Sequence, residues 1–356
     1  MSAHRRELMT KINLGKQISS GGEGILYEVV GQPNDVYKKF KPFKLTRPLQ
    51  EKLEYMWKNP PKMLTDNEIS WPSFLAKTPS GDLDGFMMPR LTFNMKLNDV
   101  YERQYYPYEF SVIVASNLCA FVHDVHENNI TVGDFNHENL GVDDETSFVS
   151  MMDCDSFHLA GGRYPCIVCM AGYAAPELLK RMRGNNTTRY EGAPFTTFTQ
   201  NTDLWTLAVH IFRLLMNGVS PYNGVDTTVR TSSAVVTAGD EPIRKGMYVF
   251  KQGLEPFDPA CPPHYVLTDR LMKMFDTAFI HGEPDIDYRE NTITRPQALE
   301  WYDALMEYQS QLTNCRNKMH QYYNRLSNCP WCEAEEREQA WTRNRYSVPA
   351  YRVRRK

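Results

Sequence analysis

Between Ile12 and about Phe40, apolar and polar residues alternate with period two, most clearly in ILYEVV and DVYKKF, on either side of a glycine-rich stretch. Short strands around a tight turn are predicted. Pro48 then opens LQEKLEYMWK, in which Leu49, Leu53 and Met56 recur at helical spacing until Asn59-Pro60-Pro61 stops the run. GFMMPRL, after the turn signal Ser80-Gly81-Asp82, predicts a strand cut off by Pro89. From Tyr108 onward the pattern is mainly helical: YEFSVIVASNLCAFVHDVHENN, DLWTLAVHIFRLLMNG and RPQALEWYDALMEYQSQL each carry apolar residues on one helical face. A β-rich front therefore meets an α-rich back, an α+β arrangement whose cleft is a natural ligand site.

Composition narrows the function classes. With 356 residues, 42% of them hydrophobic, the chain can bury a large core, and 40 basic against 43 acidic residues leave no bulk charge that would draw nucleic acid or an anionic membrane. Neither is expected as a partner. The start, MSAHRRELMTK, is too polar for a signal peptide, and the apolar run from Phe110 to Val122 is broken by Ser116 and Asn117, so a cytoplasmic protein is expected. Eight cysteines are too sparse for a disulfide scaffold, and reduced thiols are the default.

Candidate chemistry centres on VGDFNHENLGV, residues 132–142, where Asp134 and Asn139 lie between apolar anchors, followed by Asp153 in FVSMMDCDSF. Phosphoryl transfer uses such a set: one carboxylate to orient the attacking hydroxyl, and an amide with a second carboxylate to hold Mg²⁺ against the phosphates. Phosphates need close backbone approach, which ISSGGEG offers through Ser19, Gly21, Gly22 and Gly24. Lys38, at an inward position of its strand, supplies a point charge for the phosphates; Glu54 on the next helix is its expected partner, with Glu51 as the alternative.

These motifs, in order through nearly all of residues 15–305, resemble the eukaryotic-like protein kinase superfamily. Ser19 to Gly24 resembles its Gly-rich loop, Lys38 its β3 lysine, Asp134 with Asn139 its catalytic loop, and Asp153 the aspartate of Asp-Phe-Gly. Ala175-Pro176-Glu177, Asp203 and Arg295 are similar to three further landmarks. Departures are present too: Val132-Gly133 replaces His-Arg, Asn136 replaces a lysine, and Asp155 replaces the glycine of Asp-Phe-Gly. The first makes activation by loop phosphorylation unexpected, and the last adds a carboxylate near the metal. With the C-terminal Cys-Pro-Trp-Cys, the pattern resembles a divergent bacterial serine/threonine kinase family of tellurite-resistance and stress-response gene clusters, encoded beside von Willebrand A proteins and protein phosphatases. The resemblance implies ATP and Mg²⁺ as cofactors, adenine against Met87-Met88-Pro89, metal on Asn139, Asp153 and Asp155, and Asp134, Lys38 and Asn136 as the catalytic set. It also implies a protein substrate, with a cognate phosphatase and a von Willebrand A-type protein as partners.

Near the C-terminus Cys315, His320, Cys329 and Cys332 are spaced C-x4-H-x8-C-x2-C, which suits structural Zn²⁺ better than unpaired buried thiols. A redox role for the last two is disfavoured, because such motifs open a helix after a strand and none is evident there. Cys166 and Cys169 read as packing residues, and His123, His126 and His137 as surface or capping histidines. From Arg343 to Lys356 the chain is basic without acids and reads as a flexible arm. The division expected is an N-terminal lead (1–10), a β-rich N-lobe (11–88), an α-rich C-lobe (89–310), a zinc knuckle (311–336) and a basic flexible tail (337–356): a bilobal protein-kinase-like fold with a zinc-knuckle extension. Alternatives to a protein kinase are a pseudokinase scaffold and a small-molecule kinase.

Overall fold

The structure, a computed structural model, describes residues 12–346 apart from 63, 65–67, 79, 103–105, 182–188, 192–197, 227–239, 282–292 and 317. The expected lead, 1–10, and the last ten residues of the expected tail lie outside these.

Strands β1 (Leu14–Ser20), β2 (Gly24–Val29) and β3 (Gln32–Phe40) precede helix α1 (Arg47–Lys58), and β4 (Phe74–Lys77) and β5 (Leu83–Pro89) follow it. They form one antiparallel sheet in the order β1-β2-β3-β5-β4. Period-two alternation decides which side each residue serves. In β3, Val36 and Phe40 join the main core, whereas Tyr37 turns to a second cluster with Val29, Phe74, Ala76 and Met87. Lys38 thus shares the face of Val36 and Phe40. Pro48 stands at the start of α1 and Asn59 ends it, its amide bonded to the Tyr55 carbonyl. The Trp71 indole donates to the Met56 carbonyl at 2.9 Å, fixing the helix to the chain that leads into β4.

The larger, helical part starts with β6 (Met95–Lys96), α2 (Leu97–Tyr101) and α3 (Tyr108–Glu127). Next come β7 (Leu140–Val142), β8 (Val149–Met151), β9 (Val168–Met170), α4 (Pro176–Arg181), β10 (Arg189–Glu191) and α5 (Gln200–Leu215). Then follow β11 (Gly224–Asp226), α6 (Glu241–Arg244), β12 (Leu254–Pro256), α7 (Asp269–Asp276) and α8 (Ala298–Ser310). Helix α3 packs between α5 and α8, and the core holds Trp205 and Trp301 in full burial. A sheet-rich front against a helical back is the α+β division that the pattern predicts, and it is compatible with a kinase-like fold.

The appendage consists of hairpin β13 (Leu312–Asn314) and β14 (Gln321–Tyr323) and helix α9 (Pro330–Tyr346). It docks on α3, where Trp331 packs 4.8 Å from the Tyr108 ring and Gln321 both accepts from the Glu109 amide and donates to its carboxylate. Two expectations change here. Residues 337–346 continue α9 instead of forming a flexible arm, because Pro330 at the first helical position starts a helix that runs on to Tyr346. Cys329-Pro330-Trp331-Cys332 does open a helix after a strand. No helix among the described residues is long and apolar enough to cross a membrane.

Candidate active site

The turn between β1 and β2 is closed by the Gly21 amide donating to the Gly24 carbonyl at 2.9 Å. A Cβ on Gly24 would come within 2.8 Å of the Lys39 carbonyl oxygen, so only glycine fits against β3 there. Ser19, one residue before the end of β1, lies opposite Leu26, and Gly22 faces open space.

From β3, Lys38 reaches the turn that follows β8. Its ammonium lies 2.6 Å from Asp153 Oδ1 and 2.9 Å from each Asp155 oxygen. Burial works against the lysine's charge, yet Asp155 and Asp153 outweigh it and hold the ammonium above its ordinary pKa. Burial likewise pushes the Asp155 carboxyl up to about 7, against the pull of Lys38. Met88 lies in β5 beside Val36, next to Lys38's strand.

Neither Glu51 nor Glu54 pairs with Lys38 in this structure. Glu51 is exposed and bonds Arg47 one turn earlier on the same helix, and Glu54 is only half-buried. What α1 turns inward is Lys52, with Leu53 and Met56. The partner expected from the helix is supplied instead by Asp155, which burial and a 3-10 turn at Cys154–Ser156 bring onto the lysine.

Asp134 is buried at 2% exposure and held at several points. Its Oδ1 accepts from the Asn136 side-chain amide at 2.9 Å and from the Met170 backbone amide, in β9, at 3.0 Å. Asn139 donates to the Asp134 carbonyl at 3.1 Å, and its own carbonyl receives the Met152 amide, tying it to the strand end that carries Asp153. Lys38, Asp153, Asp155, Asn139, Asn136 and Asp134 thus form one connected neighbourhood of β3, the loop before β7 and the turn after β8.

Deeper residues position that loop. Asp203, near the start of α5, accepts from the amides of Val132 and Gly133 at 2.6 and 3.0 Å and meets His126 Nε2 at 3.1 Å. His126 is thereby part of the scaffold, beyond the surface role expected. His210, fully buried, donates from Nε2 to the Phe135 carbonyl and accepts the Tyr101 hydroxyl at Nδ1, 2.6 Å away. Burial pushes its pKa down to about 3, so it stays neutral. Gly133 has φ +79°, and a Cβ there would stand 2.7 Å from Cys166 Cβ and Sγ. Cys166 therefore packs where the loop lacks a side chain, and β9 is ordered by packing. Glu177 and Arg295 form a buried bidentate pair at 2.6 and 2.9 Å, joining the start of α4 to the chain entering α8.

At the appendage Cys315, His320, Cys329 and Cys332 place one ligand atom each within 4.8 Å of one another. Cys315 and Cys332 sulfurs are 3.8 Å apart, and His320 Nδ1 lies 3.5 and 3.6 Å from the Cys329 and Cys332 sulfurs. A tetrahedral ion with metal–sulfur bonds of about 2.3 Å spaces its sulfurs about 3.8 Å apart, so this cluster can hold zinc. Glu335 accepts from His320 Nε2 at 3.1 Å, which leaves Nδ1 as the free lone pair toward the sulfurs. Burial pushes the Cys329 thiol up to about 12, the opposite of a reactive redox cysteine.

Sequence reasoning missed Lys52, His210 and the Gly133–Cys166 contact. Lys52 was discoverable from its spacing, four residues before Met56 on the same face; the others depend on distant segments.

No family model matches the chain. It is similar to Protein kinase YegI of Escherichia coli (strain K12), 30% identical over 341 residues that cover 90% of this chain and 48% of that protein. It is also similar to Protein kinase YegI of Escherichia coli O157:H7, 29% identical over 340 residues, 89% of this chain and 48% of the relative. The chain spans about half the length of these curated relatives. This homology supports a protein-kinase family.

Proposed function

We propose, from the homology to named protein kinases and the arrangement around Lys38, that the chain is a Mg-ATP-dependent serine/threonine protein kinase of a bacterial stress-response system, working in the cytoplasm. The observation that carries the reading is the convergence of Lys38 with Asp153 and Asp155, on a turn tied through Met152 to Asn139 and thence to Asp134. Ser19, Gly21, Gly22 and Gly24 would cover ATP, with Met87, Met88 and Pro89 facing its adenine. Asn139 and Asp153, with Asp155 beside them, would hold magnesium, which would supply charge neutralisation for the phosphates. Lys38 grips the phosphates, Asp134 orients the acceptor hydroxyl, and Asn136 holds Asp134 in place. The acceptor is a protein hydroxyl, and a cognate phosphatase and a von Willebrand A-type protein are the partners the family likeness implies. Cys315, His320, Cys329 and Cys332 would hold structural zinc, which would staple the appendage.

The test is incubation of purified protein with γ-labelled ATP and Mg²⁺ beside Asp134→Ala. Label in the protein or in a generic basic protein that disappears in the variant supports transfer; label only on metabolites would point to a small-molecule kinase. Asp134→Ala should keep ATP binding, whereas Asp153→Ala should lose its Mg²⁺-dependent part.

A second reading, a pseudokinase scaffold, has one observation in its favour: Lys38 is already held by two carboxylates. ATP binding without transfer by the wild type would select it.

A further inference from the structure

Helix α1 buries a cation that none of the roles above uses. Lys52 is 6% exposed, and among the described residues it makes no hydrogen bond and no ion pair. The ionisable groups that act on it come from three separate elements: Cys166 from the segment before β9, Asp155 and Asp153 from the turn after β8, and Glu23 from the glycine turn over the cleft. Helix α1 packs directly against the turn that carries Asp155. Both aspartates near Lys52 are already engaged, since Lys38 takes Asp153 Oδ1 and both oxygens of Asp155.

Lys38 and Lys52 are the cations set against Asp153, Asp155, Asp134 and Glu23, so the cleft holds no excess of positive charge as it stands. A nucleoside triphosphate with one divalent cation adds a net charge of about −2, which a single lysine shared with two carboxylates does not offset. A buried ammonium without a partner is the complementary deficit. The usual arrangement of helix carboxylate and strand lysine is here replaced by an exchange of signs, with the anion on the turn after β8 and a cation on the helix.

We propose that Lys52 is a second phosphate-binding residue of the cleft, whose ammonium receives a terminal phosphate of the bound nucleoside triphosphate. The proposal rests on the kinase reading above and deepens it. Burial pushes the Lys52 pKa down, and a phosphate beside it would favour the charged form.

Calorimetric titration of wild type, Lys52→Met and Lys52→Arg with Mg-ATP, Mg-ADP and adenosine tests this. Lys52→Met is expected to weaken Mg-ATP by about tenfold or more and Mg-ADP by less, and to leave adenosine within about twofold; Lys52→Arg is expected to stay within a few-fold of wild type throughout. Mg-ATP affinity unchanged in Lys52→Met overturns the proposal alone. Equal loss of all three ligands, with a lowered unfolding midpoint, assigns Lys52 to packing and overturns it as well. A wild type that binds none of the three overturns the kinase reading and the proposal together, whereas phosphate-dependent binding without label transfer keeps the proposal and removes the transferase.

Discussion

Lys38 lies 2.9 Å from both oxygens of Asp155, and the carboxylate that secures this buried lysine comes from the strand-end turn and not from helix α1. Asp155→Ala leaves Lys38 and Lys52 facing Asp153, an excess of positive charge out of water. The expected loss of unfolding free energy is about 3 kcal/mol by urea denaturation. Adding Lys52→Met should recover part of it, with a coupling of about 1 kcal/mol in the double-mutant cycle. Strict additivity would mean that the two side chains do not share a field.

Gly133, next to Asp134, leaves the space that Cys166 fills. Gly133→Ala combines a left-handed backbone at φ +79° with a methyl placed 2.7 Å from Cys166 Sγ. A destabilisation of at least about 2 kcal/mol is expected, together with reduced nucleotide turnover because Asp134 is next in the chain. Cys166→Gly in the same background should return only the steric share. Full recovery would show that the backbone conformation costs nothing.

The buried His210 sets a pH dependence. Its pKa is lowered from 6.5 to about 3 in the folded chain, so between those values the unfolded state binds the extra proton and stability falls as pH falls. The contribution is complete above about 6.5 and lost progressively below it, by up to about 1.4 kcal/mol per pH unit. Denaturation at pH 7, 6 and 5 should give a smaller slope for His210→Gln than for wild type. Parallel slopes would place the titration elsewhere.

For the appendage, zinc is expected at about one ion per chain by elemental analysis, and at none in Cys329→Ser with Cys332→Ser. Chelation should lower the unfolding midpoint and loosen the contact of Trp331 with Tyr108, read as a change in tryptophan emission absent from Trp331→Phe. Metal-free protein with unchanged melting and emission would leave the four ligands as packing.

How much of this was legible beforehand follows the range of each contact. Strand alternation has an unambiguous period, so Lys38 could be put on the cleft face from VYKKF alone, and the structure has it beside Val36 and Phe40. Short loops such as 132–142 hold their acids and amides close by chain connectivity. The inward face of α1 is harder: Lys52 lies one turn before Met56, but hydrophobic periodicity tracks Leu49, Leu53 and Met56 and gives no weight to a lysine whose stem packs with them, so the pattern offers Glu54 in its place. His210 beneath Phe135 and Cys166 against Gly133 join segments far apart in the chain, which no local pattern encodes. The helical run through 337–346 was masked by its charge, although Pro330 behind a cysteine marked its start.

The Glu177–Arg295 pair spans 118 residues. A ribosome adding about 5–20 residues each second therefore exposes Glu177 for about 6–24 s before its partner is even made. Over that interval Asp203 and His210 already reach the loop carrying Asp134, but the start of α4 waits for its own anchor. The large lobe is locked from its far end, as the last piece of it emerges, and a chain stalled before residue 295 would leave a charged anchor stranded in a half-built core.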